Sequence, residues 1–115
     1  MAESGIRNVN HTASGASIRV HPFGATILSW ETKDRSVLFV SKLALLDGSK
    51  PVRGGIPVVF PIFGPPASGS MPQHGFGRRN LWELVDSYDT SESAGFSFQL
   101  DYENVKDGIG EDNPW

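Results

Sequence analysis

Residues 96–102 alternate strictly: Phe96, Phe98, Leu100 and Tyr102 fall on one side, Ser97, Gln99 and Asp101 on the other. A period of two is the pattern of a strand with one buried face. Residues 16–21 repeat it, with Ile18 and Val20 set against Ser17 and Arg19. Pro22-Phe23-Gly24 then breaks the pattern, and residues 25–31 resume with Ile27, Leu28 and Trp30, which predicts a hairpin. Residues 6–10 predict a short strand ahead of it. Residues 36–41 predict a third strand after the polar turn Thr32-Lys33-Asp34-Arg35, and residues 81–86 predict another before a polar turn over 88–95. Residues 42–46 suit a turn of helix or a loop, since Asp47-Gly48-Ser49 ends them at once. No heptad, internal repeat or long helical period is present. The fold class read from this pattern is all-β. About six strands, each with one alternating face, make an open sheet with two exposed edges that further chain would ordinarily close or cover.

The stretch from Lys50 to Arg79 obeys neither period. It holds six Pro and six Gly, so it is not helical through its length. Residues 56–63 are nonetheless strongly apolar, so it is not a solvated linker. Val58 to Phe60, between Pro57 and Pro61, is at most an edge or very short strand. Irregular buried backbone must find partners for its amides and carbonyls, a demand met most often where a site is shaped. Into this stretch are set Arg53, Gln73, His74, Arg78 and Arg79. Fixed guanidinium charges, an amide and an imidazole suit an anionic, hydroxyl-rich ligand. The plainer alternative is a set of turns carrying solvated arginines.

Composition narrows the classes. A chain of 115 residues with 38% hydrophobic and 20% charged residues fits one small soluble domain. With no cysteine it has neither a disulfide framework nor a thiolate metal site, and it suits a reducing, cytoplasmic setting. The first ten residues lack an apolar core segment, so no signal peptide is read there, and no window is long enough for a membrane span. Asn10-His11-Thr12 matches the glycosylation acceptor pattern, which without a secretory signal is read as chance. The net charge of −3 is unevenly spread. Residues 41–80 carry five Lys/Arg and one acid, giving +4, whereas residues 86–115 carry eight acids and one Lys, giving −7. A locally basic centre in an acidic chain argues against nucleic-acid binding, which needs a broad basic face, and fits one small anion.

Arg53-Gly54-Gly55-Ile56-Pro57, Phe60-Pro61, Phe63-Gly64, Pro72-Gln73-His74-Gly75-Phe76, Arg78 and Trp82-Glu83 follow one another in a specific order. Together with Phe23-Gly24-Ala25-Thr26 and Ser29-Trp30, they resemble the hexose-6-phosphate branch of the aldose 1-epimerase family, over residues 16–102. The resemblance implies the N-terminal portion of a galactose-mutarotase-like antiparallel β-sandwich, a supersandwich. It implies interconversion of the α and β anomers of D-glucose 6-phosphate or another hexose 6-phosphate, with no metal and no organic cofactor. By the same resemblance Arg53, Gln73, His74 and Arg78 bind substrate. Arg79 has no counterpart and reads as a surface charge. Ring opening needs a proton on the ring oxygen and loss of one from the C1 hydroxyl, hence a general acid and a general base.

The chain departs from the family in length. The family's general-acid His and general-base Glu are expected beyond Trp115, so no catalytic residue is assigned within residues 1–115. His11 and His21 read as surface or packing histidines, Glu83 could face either way, and Glu103 and Glu111 read as solvated. The expectation is a single, incomplete domain with an irregular tail over 103–115, acting on a small-molecule phosphosugar, without nucleic-acid or membrane partners. Oligomeric state is left open. Two other readings stand beside it: a non-catalytic phosphosugar-binding module, and a fragment that pairs a free strand edge with another chain.

Overall fold

The computed structural model describes residues 5–67 and 69–105. Trp115 and the rest of the acidic tail beyond Val105 lie outside them, as does the irregularity expected there. Strand β1 (Arg7–His11) pairs antiparallel with β2 (Ala16–His21), and β2 with β3 (Thr26–Glu31). The alternation of residues 16–21 thus becomes a central strand. The β1–β2 turn closes through the Gly15 amide, which donates to the His11 carbonyl at 2.8 Å. In β3 the register shifts: Ser29 faces Arg19 while Ile27 faces Val20, leaving Leu28 as the extra residue of a bulge. Leu28 is buried with Val20, Phe23 and Val52.

A second sheet holds β4 (Glu83–Asp89) and β5 (Ala94–Gln99). It is joined to the first at the turns. His11 Nε2 lies 2.9 Å from the Thr90 carbonyl, and Thr12 donates from its amide and hydroxyl to the Asp89 carboxylate. The architecture is all-β, with five strands among the described residues, a 3₁₀ turn at Gly77–Arg79 and one helical turn, α1 (Tyr102–Val105).

Three sequence expectations change. Residues 36–41 form no strand. They touch neighbours only at single bridges, Ser36 with Glu31 and Val40 with Gly54, because the chain crossing beside them is the Gly-Gly segment, which presents one ladder position before it turns. The last strand ends at Gln99, and Tyr102 starts α1 instead of extending the alternation, so residues 103–105 are helical rather than irregular. Burial explains this: Val105 is buried against Met71 and Phe76, with Ile62 and Leu100 around them, and a helical turn brings it there. The strand before the last hairpin is displaced, beginning at Glu83 and running to Asp89, while Leu81 makes a lone bridge with Phe23.

The irregular stretch is bound at both ends. Ile56 exchanges both backbone hydrogen bonds with Ile27 on the free edge of β3, at 2.9 and 3.0 Å. One residue earlier, the Gly55 amide donates to the Phe39 carbonyl at 2.8 Å. Gly55 therefore threads between β3 and residues 39–41. A Cβ on it would stand 2.0 Å from the Ile27 oxygen, so only glycine passes. This crossing fixes where Arg53 leaves the backbone. Further on, the Phe60–Pro61 bond is cis, and Phe60 bridges in parallel to Gly75. His21 is a packing histidine: Nε2 donates to the Leu46 carbonyl at 2.6 Å, and Nδ1 accepts from the Phe23 amide. It anchors the loop that leads to Lys50.

Candidate anion-binding site

Arg78 and Arg79 sit in the 3₁₀ turn, and three hydrogen bonds hold that turn. The Arg79 amide donates to the Phe76 carbonyl at 3.1 Å, Asn80 Nδ2 to the same carbonyl at 2.8 Å, and Trp82 Nε1 to the Gly77 carbonyl at 2.8 Å. Phe76 is buried and meets Phe60 edge-on at 5.9 Å, which ties the turn to the apolar cluster. Trp82→Phe keeps most of the ring but removes the donor to Gly77. The expected loss is about 1–2 kcal/mol, read in urea unfolding, with broadening of the Arg78 and Arg79 amide signals.

Just before it, Pro72 to Gly75 make a tight turn, closed by the Gly75 amide donating to the Pro72 carbonyl at 2.9 Å. His74 occupies its third position with φ of 63°, a place that glycine or asparagine normally takes. A clamp on Gly64 compensates the strain. The His74 amide donates to the Gly64 carbonyl at 2.8 Å, and the Gly64 amide donates to His74 Nδ1 at 2.8 Å. With Nδ1 accepting, Nε2 carries the proton and is a donor. The ring also lies 5.0 Å from that of Phe63.

These pieces enclose a cavity of about 630 Å³ lined by Lys50, Arg53, Gln73, His74, Arg78 and Arg79, with Ser49, Pro51 and Val52. All four residues expected to bind substrate therefore line one cavity, although Arg53 stands well before the other three in the chain. Arg79, read from sequence as a plain surface charge, lines it too, and so does Lys50, which the motifs did not single out. The signal that could have found Lys50 was the local excess of positive charge. No Asp or Glu is among the described lining residues.

The electrostatics favour an anion. Arg78 is half-buried, and its Nη2 reaches the Gln73 carbonyl at 3.3 Å. Its Nε is buried with no hydrogen-bond partner. Burial first, then repulsion from Arg79 and Arg53, lowers its pKa from the ordinary arginine value. An arginine stays protonated under any such shift, so its positive charge remains in the lining. Asp47, three residues before Lys50, accepts from the Ser49 amide at 2.9 Å and hydroxyl at 2.6 Å and is not part of the lining. Glu83 is exposed and hydrogen-bonds Gln99, away from the cavity. Among the described residues no group of three His, Asp or Glu side chains is placed to hold a metal ion, and no helix is long and apolar enough to cross a membrane.

Comparison with known proteins identifies the family. The family model for aldose 1-epimerase matches residues 8–107. The chain is 33% identical over 93 residues to a protein of Escherichia coli K12 named "putative glucose-6-phosphate 1-epimerase", covering 80% of this chain and 31% of that protein. A protein of the same name from the grass Cenchrus ciliaris is 33% identical over 73 residues, covering 63% of this chain and 22% of that one. The crystal structure of a "putative mutarotase" from Salmonella typhimurium superposes with a TM-score of 0.71 at 30% identity, over 88% of this chain and 35% of that one. The chain thus spans about a third of the length of the first of these relatives. The family model, the relatives and the fold agree that this chain belongs to the aldose 1-epimerase family.

Proposed function

We propose that this chain supplies the phosphate- and sugar-holding part of an enzyme that interconverts the α and β anomers of a hexose 6-phosphate, D-glucose 6-phosphate being the first candidate. One observation carries the reading: Arg53, Gln73, His74 and Arg78 line a single cavity that holds four cationic side chains and no described carboxylate. Planar guanidinium matches a phosphate with paired hydrogen bonds, and the partnerless Nε of Arg78 is a donor for one of its oxygens. The exposed Gln73 amide and the Nε2–H of His74 are neutral groups suited to sugar hydroxyls. Anchoring the phosphate fixes the far end of the sugar, where ring opening needs an acid and a base. The described lining offers no carboxylate base, so the acid–base pair is not assigned to this chain.

The test is an amide NMR titration of the 115-residue chain with glucose 6-phosphate and, separately, with glucose. Glucose 6-phosphate is expected to shift the signals of Arg53, Gln73, His74 and Arg78 at concentrations where glucose does not. A polarimetric assay is expected to show no anomerisation above buffer. Equal response to both sugars removes the phosphate role, and turnover by the chain alone overturns the division of labour.

A further inference from the structure

The cavity has more positive charge than one phosphate grip requires, and its cations are not alike. Arg78 is half-buried and tied to the Gln73 carbonyl, whereas Lys50 and Arg79 are exposed at the same lining. A half-buried donor acts by direct hydrogen bonding in a poorly screened setting. Exposed charges act through the field they project into solvent, over about 10 Å at ordinary ionic strength. We propose that Lys50 and Arg79 form a charge-selecting rim that draws a phosphate ester into the cavity, while Arg78 holds it once there. This rests on the phosphosugar reading above and adds two specificity-determining residues to it.

Placement supports the assignment. Arg79 is not on a loose loop: its own amide is bonded to Phe76, and Asn80 and Trp82 fasten the carbonyls on either side of Gly77. Lys50 lies between Ser49, whose amide and hydroxyl both bind Asp47, and Pro51, whose φ is fixed. Asp47 accepts both of those hydrogen bonds on one carboxylate oxygen and lies outside the lining. Arg79 also repels its neighbour Arg78, a cost that a bound anion would offset. An ordinary surface arginine would be set beside a carboxylate or alone. Here Lys50 and Arg79 are grouped with two other cations around one space.

The experiment measures the affinity of the 115-residue chain for glucose 6-phosphate by calorimetry, at about 0.01 M and about 1 M ionic strength, where the Debye length falls from ~30 to ~3 Å. Arg79→Gln and Lys50→Gln are each expected to weaken binding about two- to fivefold at low salt and not measurably at high salt. Each should flatten the salt dependence. Loss of equal size at both salts, or no loss at low salt, overturns the rim. Should a variant unfold, Arg79→Lys, which keeps the charge, replaces it and is expected to bind like the parent at both salts; loss there also counts against the rim. If the parent chain binds glucose 6-phosphate no better than glucose at low salt, the phosphosugar reading fails and the rim fails with it. If the parent binds and the variants match it, only the rim fails.

Discussion

Gly75→Ala is expected to be the most damaging single-methyl change among the residues around the site. A Cβ on Gly75 would stand 1.9 Å from the Phe60 carbonyl oxygen, 2.3 Å from its carbon and 2.6 Å from the Pro61 nitrogen. All three are backbone atoms, so no rotamer change relieves the contact. Gly75 also has φ of 78°, which costs an alanine about 1–2 kcal/mol in its own right. Adding an overpacking penalty of about 1–3 kcal/mol gives a loss of about 2–5 kcal/mol. That is a large share of the 5–15 kcal/mol that typically holds a domain together. Gly15→Ala is the control. Its φ is 79°, but nothing lies within 4 Å of the new methyl, so it measures conformational strain alone. Urea unfolding of the two variants should place Gly75→Ala well below Gly15→Ala. Equal losses would mean that the Phe60–Gly75 approach is looser in solution than described. Because Gly75 follows His74, the same change should also weaken glucose 6-phosphate binding in whatever fraction stays folded.

The parts legible in the sequence were those fixed by local pattern. The alternation of residues 16–21 marks a strand that the structure has as β2, although its burial is graded along the strand, with Val20 and His21 both buried at its end. The break at Pro22-Phe23-Gly24 is a real turn, closed between Pro22 and Ala25. Residues 36–41 have strand composition, but pairing is not local. Their neighbour in space is a segment with a different path, so only single bridges form. Tyr102 kept the period-two pattern, yet a contact with Met71 and Phe76, distant in sequence, draws Val105 inward and turns the chain into a helix. At the site, residue types were readable and their grouping was not. Arg53 reaches the cavity because Gly55 slips past β3, a matter of ångströms between backbones that no periodicity encodes. The place of Arg79 was not readable, because a pair of arginines in sequence carries no direction; the 3₁₀ turn leaves it exposed and puts both beside one cavity. The left-handed turn at His74 was also hidden. Its support is a pair of hydrogen bonds to Gly64, ten positions earlier.

Arg78→Ala should produce the largest change in ligand binding without unfolding the chain. Among the described residues the side chain gives the fold one long hydrogen bond, 3.3 Å to the Gln73 carbonyl, so its removal should cost little stability. Binding is a different matter. The proposed contact is a hydrogen bond between charged groups in a half-buried position, worth about 1.5–3 kcal/mol. Its loss should weaken glucose 6-phosphate binding roughly 10- to 150-fold while leaving the weak response to glucose within about twofold. Arg53 is exposed at the same lining, so Arg53→Ala should cost less and respond more to salt. Arg78→Lys separates charge from shape. Lysine keeps the positive charge but offers a point donor without the planar fork, so binding should recover only in part. Full recovery would show that the cavity holds phosphate by charge alone, and the orphaned Nε would then have no part in the grip. No loss of phosphate selectivity in Arg78→Ala would move the anchor off Arg78 altogether and leave the other cations to account for it.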